Sequence, residues 1–188
     1  MGALDTVHRR KLSLDEFHSM GAAGILGEDD RLELVDGEMI EMAPIGAKHL
    51  AKVNRLSRML SLAVGKDAIV STQNPIALPP QDEPQPDIAL LRPRPDDYEA
   101  ALPGAADVIL IIEVSDTTLA YDRDIKIPIY ARHGIAEVWL LDLHGGSLSI
   151  HRDPGPKGYQ RVFTAKKNET VSPVLLPSIE IDLTEVWR

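Results

Sequence analysis

Two carboxylates flank short apolar runs, and a lysine follows a little further along the chain. Asp87 precedes Ile88-Ala89-Leu90-Leu91, and Glu113 follows the unbroken run Val108-Ile109-Leu110-Ile111-Ile112. Five consecutive β-branched or leucine residues are the pattern of a strand buried on both faces of a mixed or parallel sheet. An acid at the end of such a strand is costly to hold unless a cation or another partner meets it. Lys126 comes thirteen residues after Glu113. Two strand-borne carboxylates with a lysine nearby point to a site for a hard divalent cation, with phosphate as the natural substrate. Singly, an acid at a strand end is often a cap or a member of a surface ion pair, and a lysine on a polar helix face is usually solvated. The joint placement favours a common crevice.

Other chemistries find no pattern here. The six histidines form neither HExxH nor HxH, and GxxxxGK[ST], GxGxxG and GxSxG are all absent. With no cysteine, disulfides and thiolate zinc sites are excluded. The net charge of −9 argues against loose, non-specific duplex binding, which rests on lysine and arginine neutralising phosphates. At 44% apolar residues the chain can build a substantial core. No apolar run approaches the roughly 20 residues of a membrane span, and Met1 to Asp5 carries no signal-peptide core. The expectation is a cytoplasmic protein without membrane contact. Repeats and linkers are absent, so one domain is expected over 1–188, with 1–11 flexible.

The elements that must position these residues follow from local pattern. Ser13 and Glu16 form a capping box for a helix reaching about Ala23. Arg31 to Met42 reads as a hairpin turning at Asp36-Gly37, with Leu32, Leu34 and Met39 towards the core and Glu33 and Glu41 on the opposite face. Leu50, Val53, Leu56, Leu60 and Val64 mark the apolar face of a helix over Lys48 to Val64. Pro79 to Pro86 must be an extended loop that delivers Asp87 to a strand. Asp122 to His133 has helical spacing in Ile125, Ile129 and Tyr130, with Pro128 in the first turn and Asp122 or Asp124 as cap. Ala136 to Asp142 is another buried strand, so 108–142 predicts a strand–helix–strand unit with a parallel pair. Ser147 to His151 and Tyr159 to Phe163 are further strands.

An ordered set of these residues resembles the Uma2 family of the restriction-endonuclease-like PD-(D/E)XK nuclease superfamily. The set is Glu33-Leu34-Val35-Asp36-Gly37, His49, Pro86-Asp87, Glu113-Val114-Ser115, Asp122 followed by Lys126 and Tyr130, and Gly134 to Asp142. It covers roughly residues 12 to 185. The resemblance implies an α/β fold with a restriction-endonuclease-like mixed β-sheet core flanked by helices, an N-terminal β-hairpin and C-terminal antiparallel strands. It also implies a magnesium- or manganese-dependent endonuclease that hydrolyses phosphodiester bonds with a metal-activated water. Asp87 and Glu113 resemble the metal-binding acids, and the Val114 carbonyl is a third candidate ligand. Glu33 resembles an additional acid from the N-terminal segment. Ser115 occupies the lysine slot of E-x-K, and Lys126 resembles the lysine that migrates to the following helix. His49 and Gln73 also match family positions.

The expected substrate is nucleic acid, DNA before RNA. The alternatives are a non-catalytic binding protein that retains the nuclease fold, and a metal-dependent hydrolase of a small phosphate ester. An acidic chain that holds a polyanion gains by pooling basic surfaces. A homodimer is therefore expected, with Arg92, Arg94, Lys48, Lys52 and Arg55 lining a shared groove.

Overall fold

A computed structural model describes residues 10–27 and 29–188. Residues 1–9 of the segment expected to be flexible lie outside that range, whereas Lys11 is paired with Asp36 at 2.6 Å.

In chain order the elements are α1 (Leu14–Ala22), β1 (Leu32–Val35), β2 (Glu38–Glu41), α2 (Ala47–Val64), β3 (Ile69–Thr72), β4 (Ile88–Leu91) and β5 (Val108–Ser115). There follow α3 (Leu119–Tyr121), a π-helical turn (Asp122–Lys126), α4 (Ile127–Arg132), β6 (Glu137–Asp142), β7 (Ser147–Gly155), β8 (Gly158–Ala165), β9 (Thr170–Val171), β10 (Ile181–Asp182) and α5 (Leu183–Trp187). Six strands form one mixed sheet in the order β3-β4-β5-β6-β7-β8. β5 is buried along its whole length, as its apolar run requires. It pairs antiparallel with β4 and parallel with β6, the pairing that a helical crossover demands. β1 and β2 form the expected hairpin, and β9 with β10 the expected C-terminal antiparallel pair.

Helix α2 covers one face of the sheet. Val53, Leu56, Leu60 and Val64 pack there with Ile112, Val114, Trp139, Leu183 and Val186. Leu50, expected in this stripe, is 49% exposed: the buried face of α2 starts at Val53, and in the first turn it is His49 that turns inwards, to Asp87. Ile127, Ile129, Tyr130 and Ile135 fill the other face with Ile111 and Val138.

The helix after β5 differs from its sequence pattern. It begins at Leu119 and passes through the π-helical turn before α4, so Pro128 lies well inside it. The wider turn suits a proline, which has no N–H to complete an α-helical ladder. The same turn leaves Ile125 44% exposed and buries Asp122 and Lys126.

The hairpin also departs from simple alternation. Met39 is 41% exposed and Glu33 only 4% exposed, so Glu33 faces inwards. The cause is a second docking partner: the Leu34 and Glu83 backbones exchange hydrogen bonds of 3.3 and 2.7 Å, which lays the hairpin on the loop before β4. At the turn, Gly37 has φ +71°, and a Cβ there would sit 2.7 Å from the Lys11 Cβ, so both conformation and space call for glycine.

Four of the five basic residues expected to line a shared groove make contacts within the chain. Lys52 donates to the Val186 carbonyl and Arg55 to the Glu185 carbonyl, capping α5. Arg94 makes a two-point pair with Asp96 and lies 4.4 Å over the Tyr98 ring. Arg92 donates to the Ala106 carbonyl, while Lys48 is exposed.

Leu60, fully buried between α2 and the sheet, and exposed Leu50 separate the two faces of α2. Leu60→Ala should destabilise the protein by about 2–5 kcal/mol. Leu50→Ala should change stability by less than about 0.5 kcal/mol. Chemical denaturation of both variants checks the contrast; equal losses would contradict the packing.

Candidate active site

Strand register brings the two acids together. Ile88 of β4 pairs with Ile112 of β5, and one antiparallel step further Asp87 opposes Glu113. The Asp87 N–H donates to Glu113 Oε2 at 3.3 Å, and the Val114 N–H donates to Asp87 Oδ2 at 2.9 Å. The N–H and C=O of a strand residue point to the same edge. The Val114 carbonyl therefore faces the Asp87 side as well. Asp87 Oδ1 accepts from Gln73 Nε2 at 3.3 Å and contacts His49 Nε2 at 2.9 Å. That contact raises the His49 pKa above its ordinary value, against the opposing effect of burial.

Lys126 reaches this point from the π-helical turn. Its Nζ lies 2.9 Å from Glu113 Oε1 and 3.5 Å from Glu33 Oε2, and it donates to the Gln85 carbonyl at 3.1 Å. Ser115 lies two residues beyond Glu113 on the same side of β5. Its short side chain donates to Asp122 Oδ2 at 2.7 Å, as does Thr118 at 2.6 Å. Burial alone would lower the Lys126 pKa, but the carboxylates of Glu113, Glu33 and Asp122 outweigh it and raise it. The ammonium stays charged. Glu113 goes the other way: burial pushes its pKa up to about 8, with Asp122 and Asp87 adding to the rise and Lys126 opposing it. Burial likewise raises Asp122, partly offset by Lys126, Thr118 and Ser115.

Glu33 completes the set from the hairpin. Its Oε2 accepts from the Gln85 N–H at 2.9 Å and its Oε1 from Tyr121 Oη at 2.8 Å. Tyr130 Oη donates to Glu113 Oε1 at 2.6 Å. Burial next to these acids raises both phenols, so they remain donors. Asp87, Glu113, Glu33 and Lys126 all line one cavity of about 340 Å³, open to the surface and bounded by the hairpin, the 42–46 segment and the first turns after β5.

All four side chains singled out in the sequence thus meet in one recess, with the Val114 backbone alongside. Tyr130 belongs to the ordered set, but its hydrogen bond to Glu113 is visible only in the fold; Tyr121 has no motif, and only its position on the same helix five residues before Lys126 could have drawn attention to it. His49 and Gln73 matched a pattern, but their common contact with Asp87 needed three dimensions.

The donor set suits a hard, oxygen-seeking cation. Asp87 and Glu113 bear on each other through Glu113 Oε2 and the Asp87 N–H, with the Val114 carbonyl on the same edge. Among the described residues no group of three His, Asp or Glu side chains is gathered for a metal. Two carboxylates and a carbonyl nonetheless match magnesium, which keeps several waters and shares its shell with substrate phosphate.

Comparison with known proteins agrees in fold. No curated protein matches the chain. A solved structure described as a "putative nuclease belonging to DUF820", from Anabaena variabilis ATCC 29413, superposes with a TM-score of 0.72. It shares 18% identity and covers 94% of this chain and 97% of its own, a likeness that establishes the fold alone. The model of the family described as "Putative restriction endonuclease" matches residues 14–184. On that match the chain belongs to the Uma2 family.

Proposed function

We propose that the protein is a divalent-metal-dependent nuclease whose reaction centre is Asp87, Glu113 and Lys126. The observation that carries this reading is the placement of the Lys126 ammonium 2.9 Å from Glu113, on the side of β5 where Ser115 leaves room. Asp87, Glu113 and the Val114 carbonyl would hold magnesium or manganese. Such a cation supplies Lewis-acid polarisation of the phosphodiester and lowers the pKa of a bound water. Lys126, fixed by Glu33 and the Gln85 carbonyl, places a permanent positive charge where negative charge develops on the phosphate oxygens. Glu33, held by Tyr121 and the Gln85 amide, positions that ammonium. Tyr130 fixes the rotamer of Glu113, and His49 with Gln73 does the same for Asp87.

Purified protein should hydrolyse DNA oligonucleotides with Mg²⁺ or Mn²⁺ and stop on addition of EDTA; metal-independent cleavage would contradict the reading. Lys126→Ala should lower turnover by about 10²–10³-fold while calorimetry still detects Mn²⁺ binding. Glu113→Ala should lose both. Near-wild-type cleavage by Lys126→Ala would reduce that lysine to a structural counter-ion.

The buried carboxyl also sets a pH dependence for the metal-free protein. The unfolded Glu113 titrates near its ordinary value of about 4.3, the folded one at about 8. Between those values the folded state holds a proton that the unfolded state has lost. This contribution to stability is therefore present at low pH and is lost as pH rises towards 8. Glu113→Gln should flatten the melting temperature of the apo-protein over that window relative to wild type. Parallel pH profiles for the two proteins would show that Glu113 is ionised throughout.

A further inference from the structure

We infer that the recess takes an unpaired strand of nucleic acid, one nucleotide entering at a time, and does not act on a continuous duplex. This inference rests on the nuclease reading. The reacting groups are recessed: the side chains of Glu113, Lys126 and Glu33 are 2–5% exposed, and that of Asp87 is 15% exposed. A phosphate that reaches them must bring its own nucleotide into the recess. A cavity of about 340 Å³ is of single-ligand size. A duplex keeps its phosphates on the outside of a stacked cylinder, and a nucleotide leaves that cylinder only by unpairing and unstacking.

The segment 42–46 forms part of the wall of the recess. At one end the Met42 N–H donates to the Arg31 carbonyl at 2.8 Å. At the other, a Cβ on Gly46 would stand 3.6 Å from the Asp116 carboxylate, so the segment lies against the loop after β5. Ile40, Met42, Pro44 and Ile45 give this wall an apolar surface, and Ile45 is 39% exposed. Asp87 and Glu113 line the same recess. A recess that offers both an apolar surface and a pair of carboxylates matches a nucleotide, with its base on the first and its phosphate, through the metal, on the second.

Electrostatics points the same way. Six of the lining residues are acids, and the cations among them are Arg31 at the exposed rim, Lys126 and His49. Lys126 and His49 already contact Glu113 and Asp87. Duplex binding draws on many phosphate contacts along a basic face. Lys52, Arg55 and Arg94, which could have supplied one, are bound to the protein's own carbonyls and to Asp96. A single strand needs fewer such contacts when its bases find an apolar surface.

The test compares one labelled DNA oligonucleotide as a single strand, as a fully paired duplex, and as that duplex with a short unpaired bubble, each with Mn²⁺. The single strand and the bubble should be cleaved at least about tenfold faster than the paired duplex. Equal or faster cleavage of the paired duplex would overturn the inference and leave the nuclease reading standing. Absence of cleavage on all three would overturn the nuclease reading, and this inference with it. Ile45→Asp tests the apolar wall: KM for the single strand should rise by about tenfold or more, with Mn²⁺ affinity and the circular dichroism spectrum unchanged. An unaltered KM would show that the wall does not meet the base.

Discussion

The structure around the end of β5 depends on one constraint: an acid buried in an apolar sheet can ionise only where a cation meets it. Glu113 is 2% exposed, and Lys126 meets it at 2.9 Å. An isolated buried charge costs several kcal/mol, and a close ion pair recovers that cost only with good geometry and further hydrogen bonds. Several features supply them. Tyr130 donates to Glu113, the Gln85 carbonyl accepts from Lys126, and Glu33 stands within 3.5 Å of the same ammonium. The π-helical turn that carries Lys126 inwards belongs to the same arrangement, as does the hairpin that carries Glu33. An acid kept above its ordinary pKa beside a fixed lysine is not a favourable arrangement for stability alone. Perturbed groups of this kind gather where a site is prepared for an ion or a reaction.

Serine at position 115 fits the same geometry. A lysine there would point to the side of β5 that Glu113 occupies and would compete with Lys126 for the same carboxylate. Ser115 instead donates to Asp122, one helical turn before Lys126, and ties the start of the helix to the strand. Lys126 and Ser115 are thus two halves of one arrangement, with Asp122 between them.

Much of this was legible in the sequence, for identifiable reasons. The run Val108 to Ile112 can only be a buried strand, and the acids beside short apolar runs follow from it. The capping box at Ser13 and Glu16 forms as written, because both halves are local. The hidden features are those decided by non-local contact. Glu33 reads as a solvent-facing hairpin residue until Leu34 docks on Glu83 and turns it inwards. Pro128 reads as a helix start because a π-helical turn has no sequence signature. Lys52 and Arg55 read as candidates for a shared groove because their partners, the last carbonyls of α5, lie more than a hundred residues away.

On the proposed function, the acids at the ends of β4 and β5 form a metal-binding edge with Lys126 beside it as a non-ligand. A crystal soaked in Mn²⁺ tests it most directly through the anomalous scattering of the ion. One strong peak is expected at roughly 2.0–2.4 Å from carboxylate oxygens of Asp87 and Glu113 and from the Val114 carbonyl, with the Lys126 ammonium outside the coordination shell. A recess without a peak at saturating Mn²⁺, with Lys126 still paired to Glu113, would contradict it.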